Sequence, residues 1–355
     1  MKKSLLALAV LGTFAGAASA QTNVTIYGIV DAGINYDKGK FPEGKKWSLA
    51  SGQYNGSRLG FKGTEDLGGG LSAIFTLENG FNVDDGTLGN SGRLFGRQAW
   101  VGLNGGFGTV KLGRQYSVMY NALALIDPFG INQAGDAQRV YGYGLGKVDP
   151  MSRSDNTVTY STQDFAGFSG QAGYKFGETA GSFNTGSSKF VGANYTKGPL
   201  NVVAAYQNTD GVAFGATTTA LGAIVAPTGL GAATARVKTG FIGTTYDFGV
   251  VKAHLGYGNT KADATGELKI RNYLVGFTAP VGTGSVYGSW NRNDIKQISA
   301  GASNQYAIGY SYPLSKRTLL YTSFAYTKND SGVRLNAATN GQSDREFQAG
   351  FRHSF

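Results

Sequence analysis

The chain contains no cysteine, two histidines and only seven prolines among 355 residues. The missing thiols exclude thiolate catalysis and cysteine-held metals. They are compatible with export through an oxidising compartment but do not establish it. His254 and His353 stand far apart, with no carboxylate-rich spacing around either. A zinc site or a Ser–His pair therefore has nothing to form on, and the sequence predicts no catalytic residue, no cofactor and no metal. Past the N-terminus there is no apolar run long enough for a helical membrane span. What is abundant is glycine, at 56 residues, with 20 Tyr and 21 Phe. That composition disfavours helix and favours strand.

Met1-Lys2-Lys3 precedes an apolar run from Leu5 to about Ala18, and Ala18-Ser19-Ala20 follows. A charged start, a short hydrophobic region and an A-x-A site predict a secretory signal peptide over residues 1–20. Loss of that segment removes Lys2 and Lys3. The remaining 335 residues carry 30 basic and 22 acidic groups, a net charge of +8.

From Gln21 onward, apolar and polar residues alternate with a period of two. Sixteen strands are predicted, most near ten residues, the length a tilted strand needs to cross a bilayer. Late in the chain Tyr306, Ile308, Tyr310 and Tyr312 share one face, and Gln305, Ala307, Gly309 and Ser311 the other. In the last strand Phe347, Ala349, Phe351, His353 and Phe355 oppose Glu346, Gln348, Gly350, Arg352 and Ser354. A soluble sandwich also alternates, but it could not bury so many charges on its inner face. The predicted connections alternate short and long. Short ones include 67–70 and 164–167; long ones include 37–56, 115–153, 209–237 and 329–344. Seven short turns and eight long loops fit an up-and-down barrel with both termini at one end. The fold class is therefore all-β: a 16-stranded antiparallel transmembrane barrel.

Residues 115–153 break the alternation for nearly forty positions, far beyond an ordinary connection. Tyr116, Tyr120, Ile126, Phe129, Ile131, Tyr141 and Tyr143 make this loop too apolar to stay solvated. The expectation is a loop folded into the barrel mouth, narrowing a channel. Residues 209–237, rich in Gly, Ala and Thr, are expected to be a flexible external loop, or one that touches a partner or lipopolysaccharide. The acidic pairs Glu65-Asp66 and Asp84-Asp85 are read as solvated. LGGG at 67–70 lacks the Lys-Ser/Thr of a phosphate loop.

Parity on the second predicted strand places Arg58 and Lys62 with Gly60 and Thr64 on the polar face, opposite Leu59 and Phe61. Arg97 shares parity with Val101 and Leu103, and Arg114 with Val110 and Leu112, so alternation alone puts neither inside. Arg93 and Lys111 are lesser candidates.

Several segments carry a resemblance: VTIYGIVDAGI at 24–34, SRLGFKGTEDLGGGLSAIFTLENGF at 57–81, GRQAWVGLNGGFGTVKLGRQY at 96–116, DNTVTYSTQDFAGFSGQAGYKFG at 155–177, PLSKRTLLYTSFAY at 313–326 and FQAGFRHSF at 347–355. With these the chain resembles the general diffusion porins of the Gram-negative outer membrane, most of all the beta-proteobacterial type. The resemblance implies a homotrimeric barrel whose third external loop folds inward as the constriction. It implies that Phe355 is read by the barrel-insertion machinery. It also places Arg97, through GRQAW, and Arg153 at the constriction, with the loop acid Asp127 facing them and Asp136 as a second candidate. Asp127 could instead pair with an arginine and hold the loop. The function read from this is passive diffusion of small hydrophilic solutes and ions, with a weak preference for anions. Expected partners are outer-membrane lipid, lipopolysaccharide and further copies of the chain, and no nucleic acid. A channel specific for phosphate or a dicarboxylate is the first alternative, and a secreted basic β-protein that binds an acidic surface is the second.

Overall fold

The computed structural model describes residues 23–141, 152–214, 233–263, 268–296 and 301–355. The expected signal peptide lies outside the described residues. Seventeen strands form one antiparallel sheet: β1 (Asn23–Phe41), β2 (Gly44–Ser51), β3 (Arg58–Gly68), β4 (Leu71–Gly80), β5 (Gln98–Gly105), β6 (Gly108–Tyr116), β7 (Arg153–Ser161), β8 (Phe168–Lys175), β9 (Ser188–Lys197), β10 (Leu200–Phe214), β11 (Ala233–Asp247), β12 (Lys252–Asp263), β13 (Leu268–Val281), β14 (Gly284–Ile295), β15 (Gly301–Pro313), β16 (Thr318–Asn329) and β17 (Asp344–Ser354). Neighbours in sequence are neighbours in the sheet, and β17 pairs with β1 to close it.

Seventeen strands make sixteen staves. Along β1, residues 23–29 pair with β3 and residues 32–41 pair with β2. Strands β2 and β3 are thus two halves of one stave, parted by an excursion at 52–57. Asp31 holds that excursion. Its Oδ2 accepts from the amides of Tyr54 (3.0 Å) and Asn55 (2.7 Å), and its Oδ1 from the Tyr321 hydroxyl (2.6 Å). The long loop expected at 37–56 is therefore a strand, a tight turn and the excursion. Strands β10 and β11 likewise reach into the loop expected at 209–237, pairing Val212 with Ala235. In these outer segments polar residues fall on both faces, so the alternation that marks a strand in sequence fades while the backbone ladder continues.

The alternation itself holds. Ile26, Val101 and Ile308 are 61%, 58% and 53% exposed on the outer face, while Gln305 and Asn291 on the inner face are fully covered. The described residues contain no helix long and apolar enough to cross a membrane.

What covers the inner face is the segment between β6 and β7. It begins with helix α1 (Val118–Ile126), opened by Ser117, whose hydroxyl accepts from the Tyr120 amide at 3.0 Å. The helix buries Val118, Met119, Leu123 and Ile126 in one cluster with Phe190, Val203, Ala205 and Phe241. Apolar residues therefore sit on the otherwise polar face of β9 to β13, and the helix is what they receive. Burying four such side chains is worth about 1.5–3 kcal/mol each relative to exposure. The segment continues through helix α2 (Ala137–Val140) along β12 to β17. His254 Nδ1 bonds the Ile126 carbonyl at 2.7 Å. Asn293 Nδ2 donates to the Val140 carbonyl at 3.0 Å, and Gln305 Nε2 to the Ala134 carbonyl at 3.3 Å. Arg139 pairs with Glu346, and the Gln133 amide donates to the Gln53 carbonyl at 2.7 Å.

Candidate functional site

Three of the predicted arginines meet on the wall around β3 to β7. Arg58 opens β3 and donates to the Gly56 carbonyl at 2.9 Å. Its guanidinium stands 4.0 Å from Glu78 Oε1. Arg97 Nε bonds that same oxygen at 2.8 Å, and its Nη2 donates to the Tyr116 hydroxyl at 2.7 Å. Arg153 opens β7, donates to the same hydroxyl at 3.1 Å and lies over the Tyr116 ring at 4.6 Å. Tyr116 stacks on Tyr120, with centroids 4.2 Å apart. The Tyr27 hydroxyl donates to Glu78 Oε2 at 2.9 Å. This group holds three guanidinium charges against one carboxylate, so its field is positive. The stacked tyrosines fix its shape, because an arginine plane lies on an aromatic face without losing its charge.

Why the sequence arranges it so is local. Arg97 sits one residue before β5 begins to pair, so the outward parity of Val101 does not govern it. Gly56 and Gly80 admit it closely: a Cβ at Gly56 would lie 2.7 Å from Arg97 Nη1, and one at Gly80 would lie 3.1 Å from its Cδ. Arg114 also departs from its parity. The β6–β7 register shifts after Gly113, whose φ is +131°, and this bulge re-aims the next side chain. Arg114 is buried and donates to the Gly96 carbonyl (2.7 Å) and to Asp155 Oδ1 (2.7 Å), a carboxylate shared with Arg93. Lys62 is exposed on β3, 5.5 Å from the Tyr27 ring. Lys111 lies 4.3 Å over the Trp100 ring.

The two loop acids are placed differently from the sequence expectation. Asp127 does not stand as a bare charge facing the arginines, nor is a wall arginine what holds it. Its Oδ2 accepts from the amides of Ile131 (2.8 Å) and Ala137 (3.0 Å), and its Oδ1 from that of Phe129 (3.1 Å). It is the knot of the loop's own turn. Burial, helped by neighbouring Asp136, pushes its carboxyl up to about 7 while the three amides pull it down. Asp136 caps α2 by accepting from the Gln138 amide at 2.8 Å and lies 3.9 Å from Arg139. Both acids shape the loop. Sequence reasoning missed Glu78, although parity signalled it: it pairs across the ladder with Gly60, on the face assigned to Arg58 and Lys62.

The comparisons agree with this architecture. The model of the Gram-negative porin family matches residues 7–332. An outer membrane porin protein of Bordetella pertussis is 36% identical over 93% of this chain and 95% of its own length. Outer membrane porin protein 32 of Delftia acidovorans is 36% identical with both chains fully covered. Among solved structures, an anion-selective porin from Comamonas acidovorans superposes with a TM-score of 0.80 at 32% identity, over 94% of this chain and all of that one. A trimer form of OmpT from Vibrio cholerae shares the fold at a TM-score of 0.70 and 18% identity. A closed sixteen-stave barrel, an apolar outer face and two relatives matched along nearly their whole length carry one conclusion: this chain belongs to the Gram-negative porin family and is an outer-membrane channel protein, not an enzyme.

Proposed function

We propose that the group of Arg58, Arg97 and Arg153 is the selectivity-determining part of a passive diffusion pore that favours small anions. The observation that carries the reading is the charge count: three guanidinium groups around Glu78, held in place by Tyr116 and Tyr120. Low-dielectric walls focus such a field into the adjoining water, raising the local anion concentration. Lys62 adds a solvated positive charge on the same face. The loop of α1 and α2 supplies the opposing side of the passage. Its acids Asp127 and Asp136 are spent on the loop's own amides and on Arg139, so they offset the wall arginines less than free carboxylates would. The anion-selective relative from Comamonas acidovorans is consistent with this direction.

Arg97 and Arg153 are buried, with donors committed to Glu78 and Tyr116 rather than held out to a bound anion, so general diffusion is favoured over a channel built for phosphate or a dicarboxylate. Single-channel conductance of the purified protein in planar bilayers tests this. Conductance rising in proportion to KCl, without saturable block by phosphate or succinate, is the expected result. Saturable block at submillimolar concentration of either anion would replace diffusion with specific transport. Steps grouped in threes would support the homotrimer that the family resemblance implies.

Phe355 is proposed as the assembly signal. Its backbone extends the closing ladder, exchanging hydrogen bonds with Gly28 at 3.0 and 3.1 Å, and its ring is half exposed at the outer face. Deleting Phe355 is expected to lower the outer-membrane level of the protein several-fold while leaving detergent refolding in vitro almost unchanged. Equal loss in both assays would make the residue structural instead.

A further inference from the structure

The seam between the first and last strands carries buried acid that its hydrogen bonds do not balance. Asp37 on β1 stands directly opposite Glu346 on β17, and Asp344 lies two residues before Glu346 on the same face. One ligand oxygen from each lies within 4.8 Å of those of the other two. All three residues are at most 4% exposed. Like charges opposed across a strand pair repel, and a buried carboxylate is costly unless it is compensated.

The compensation present is partial. Glu346 is served: one oxygen pairs with Arg139 and the other accepts from Gln348 Nε2 at 2.7 Å. Asp37 Oδ1 accepts from the Lys40 amide at 3.1 Å. Asp37 Oδ2 and Asp344 Oδ1, however, are buried without a hydrogen-bond partner. Among the described residues the guanidinium tied to the cluster is that of Arg139, which leaves a charge of about −2 before Lys40 is counted if all three acids are ionised. The exposed Lys40 ammonium is a second opposing charge, acting on Asp37 and Asp344 more strongly than Arg139 does, and it offsets part of that excess. Gly39 lets β1 approach Asp344 closely: its φ is +137°, and a Cβ there would lie 2.7 Å from Asp344 Cα.

We propose that Asp37, Asp344 and Glu346 form a calcium site that fastens the first strand of the barrel to the last. Oxygen-only donors select a hard cation, whereas zinc, copper or nickel would favour imidazole or thiolate. Size then selects among hard cations. Ligands at roughly 2.3–2.6 Å from calcium lie up to about 5 Å apart across the ion, which matches this cluster. Magnesium, at roughly 2.0–2.1 Å, demands a tighter cage and keeps most of its water. A divalent ion would cancel the remaining charge and give the two orphan oxygens a partner. Because Glu346 also holds Arg139, the same ion would steady α2 and with it the loop across the pore. Sequence reading could not find the site, since its ligands come from opposite ends of the chain.

The test uses the full mature chain refolded in detergent without lipopolysaccharide, which has cation sites of its own. After treatment with a chelator, calcium binding is measured by titration calorimetry, and the thermal unfolding midpoint is recorded in calcium, in magnesium and in EGTA. One calcium per chain, a midpoint higher in calcium than in magnesium, and an affinity at least tenfold lower in Asp37→Asn and Asp344→Asn are expected. A wild-type protein that binds no stoichiometric calcium and unfolds at one temperature in all three conditions would overturn the proposal. So would an Asp344→Asn protein that binds calcium as wild type does. Equal affinity for magnesium would overturn the assignment to calcium. If the variants do not refold, the three wild-type midpoints still decide.

Discussion

Replacing Arg58, Arg97 and Arg153 together with glutamine is expected to turn the channel from chloride-preferring to potassium-preferring. The wall then keeps Glu78 as its charge in that group, and the local field changes sign. Glutamine retains a donor for Glu78 and for the Tyr116 hydroxyl, so the stacked tyrosines stay in place. Three charges lying within a Debye length of a passing ion, about 10 Å at 0.1 M salt, are only partly screened. The expected shift in the permeability ratio is on the order of tenfold, about 1.4 kcal/mol between the two ions. Two controls set the direction. Glu78→Gln is expected to strengthen the chloride preference. Arg114→Gln, whose charge is shared with Asp155, is expected to change the ratio much less. Bilayer reversal potentials read all three. An unchanged ratio in the triple variant would remove these arginines from the selectivity step.

Asp127→Ala is expected to loosen the loop without unfolding the barrel. The substitution leaves the amides of Phe129, Ile131 and Ala137 without their acceptor. Each such hydrogen bond contributes roughly 0.5–1.5 kcal/mol, and more while the carboxyl is ionised, so the local loss is on the order of 3 kcal/mol. The ladder of β1 to β17 does not depend on Asp127, so the thermal midpoint of the barrel should fall by only a few degrees. Proteolysis between residues 117 and 152 should become at least tenfold faster, and channel current noise should rise. A loop as resistant as wild type would show that α1 on the inner wall is sufficient to hold it.

These two cases mark how far the sequence could be read. Period-two alternation exposes the wall because lipid and water meet alternate residues, so Gln305 and Ile308 were placed on opposite faces from sequence alone. The same logic placed Arg58. It could not place Arg97 or Arg114, because one precedes its ladder and the other follows a bulge, and parity has meaning only inside a regular strand. It could not see the apolar patch of Phe190, Val203 and Phe241 on the inner wall as a landing surface, since inward apolar residues in a pore strand make sense only once α1 covers them. Asp127 was recognisable as important, but its task was not. A carboxylate folded back on three amides of its own loop leaves no trace in spacing that would separate it from one facing the pore. Glu78 is legible by parity, since it pairs across the ladder with Gly60 on the face of Arg58.

The central claim is that a net positive wall sets the ion preference. The reversal potential of the wild-type channel in a planar bilayer under a tenfold KCl gradient tests it most directly. The account predicts a modest potential of the sign that marks chloride as the more permeant ion, shrinking as the salt concentration is raised and the arginines are screened. A potential of the opposite sign, or one indifferent to salt concentration, would contradict it.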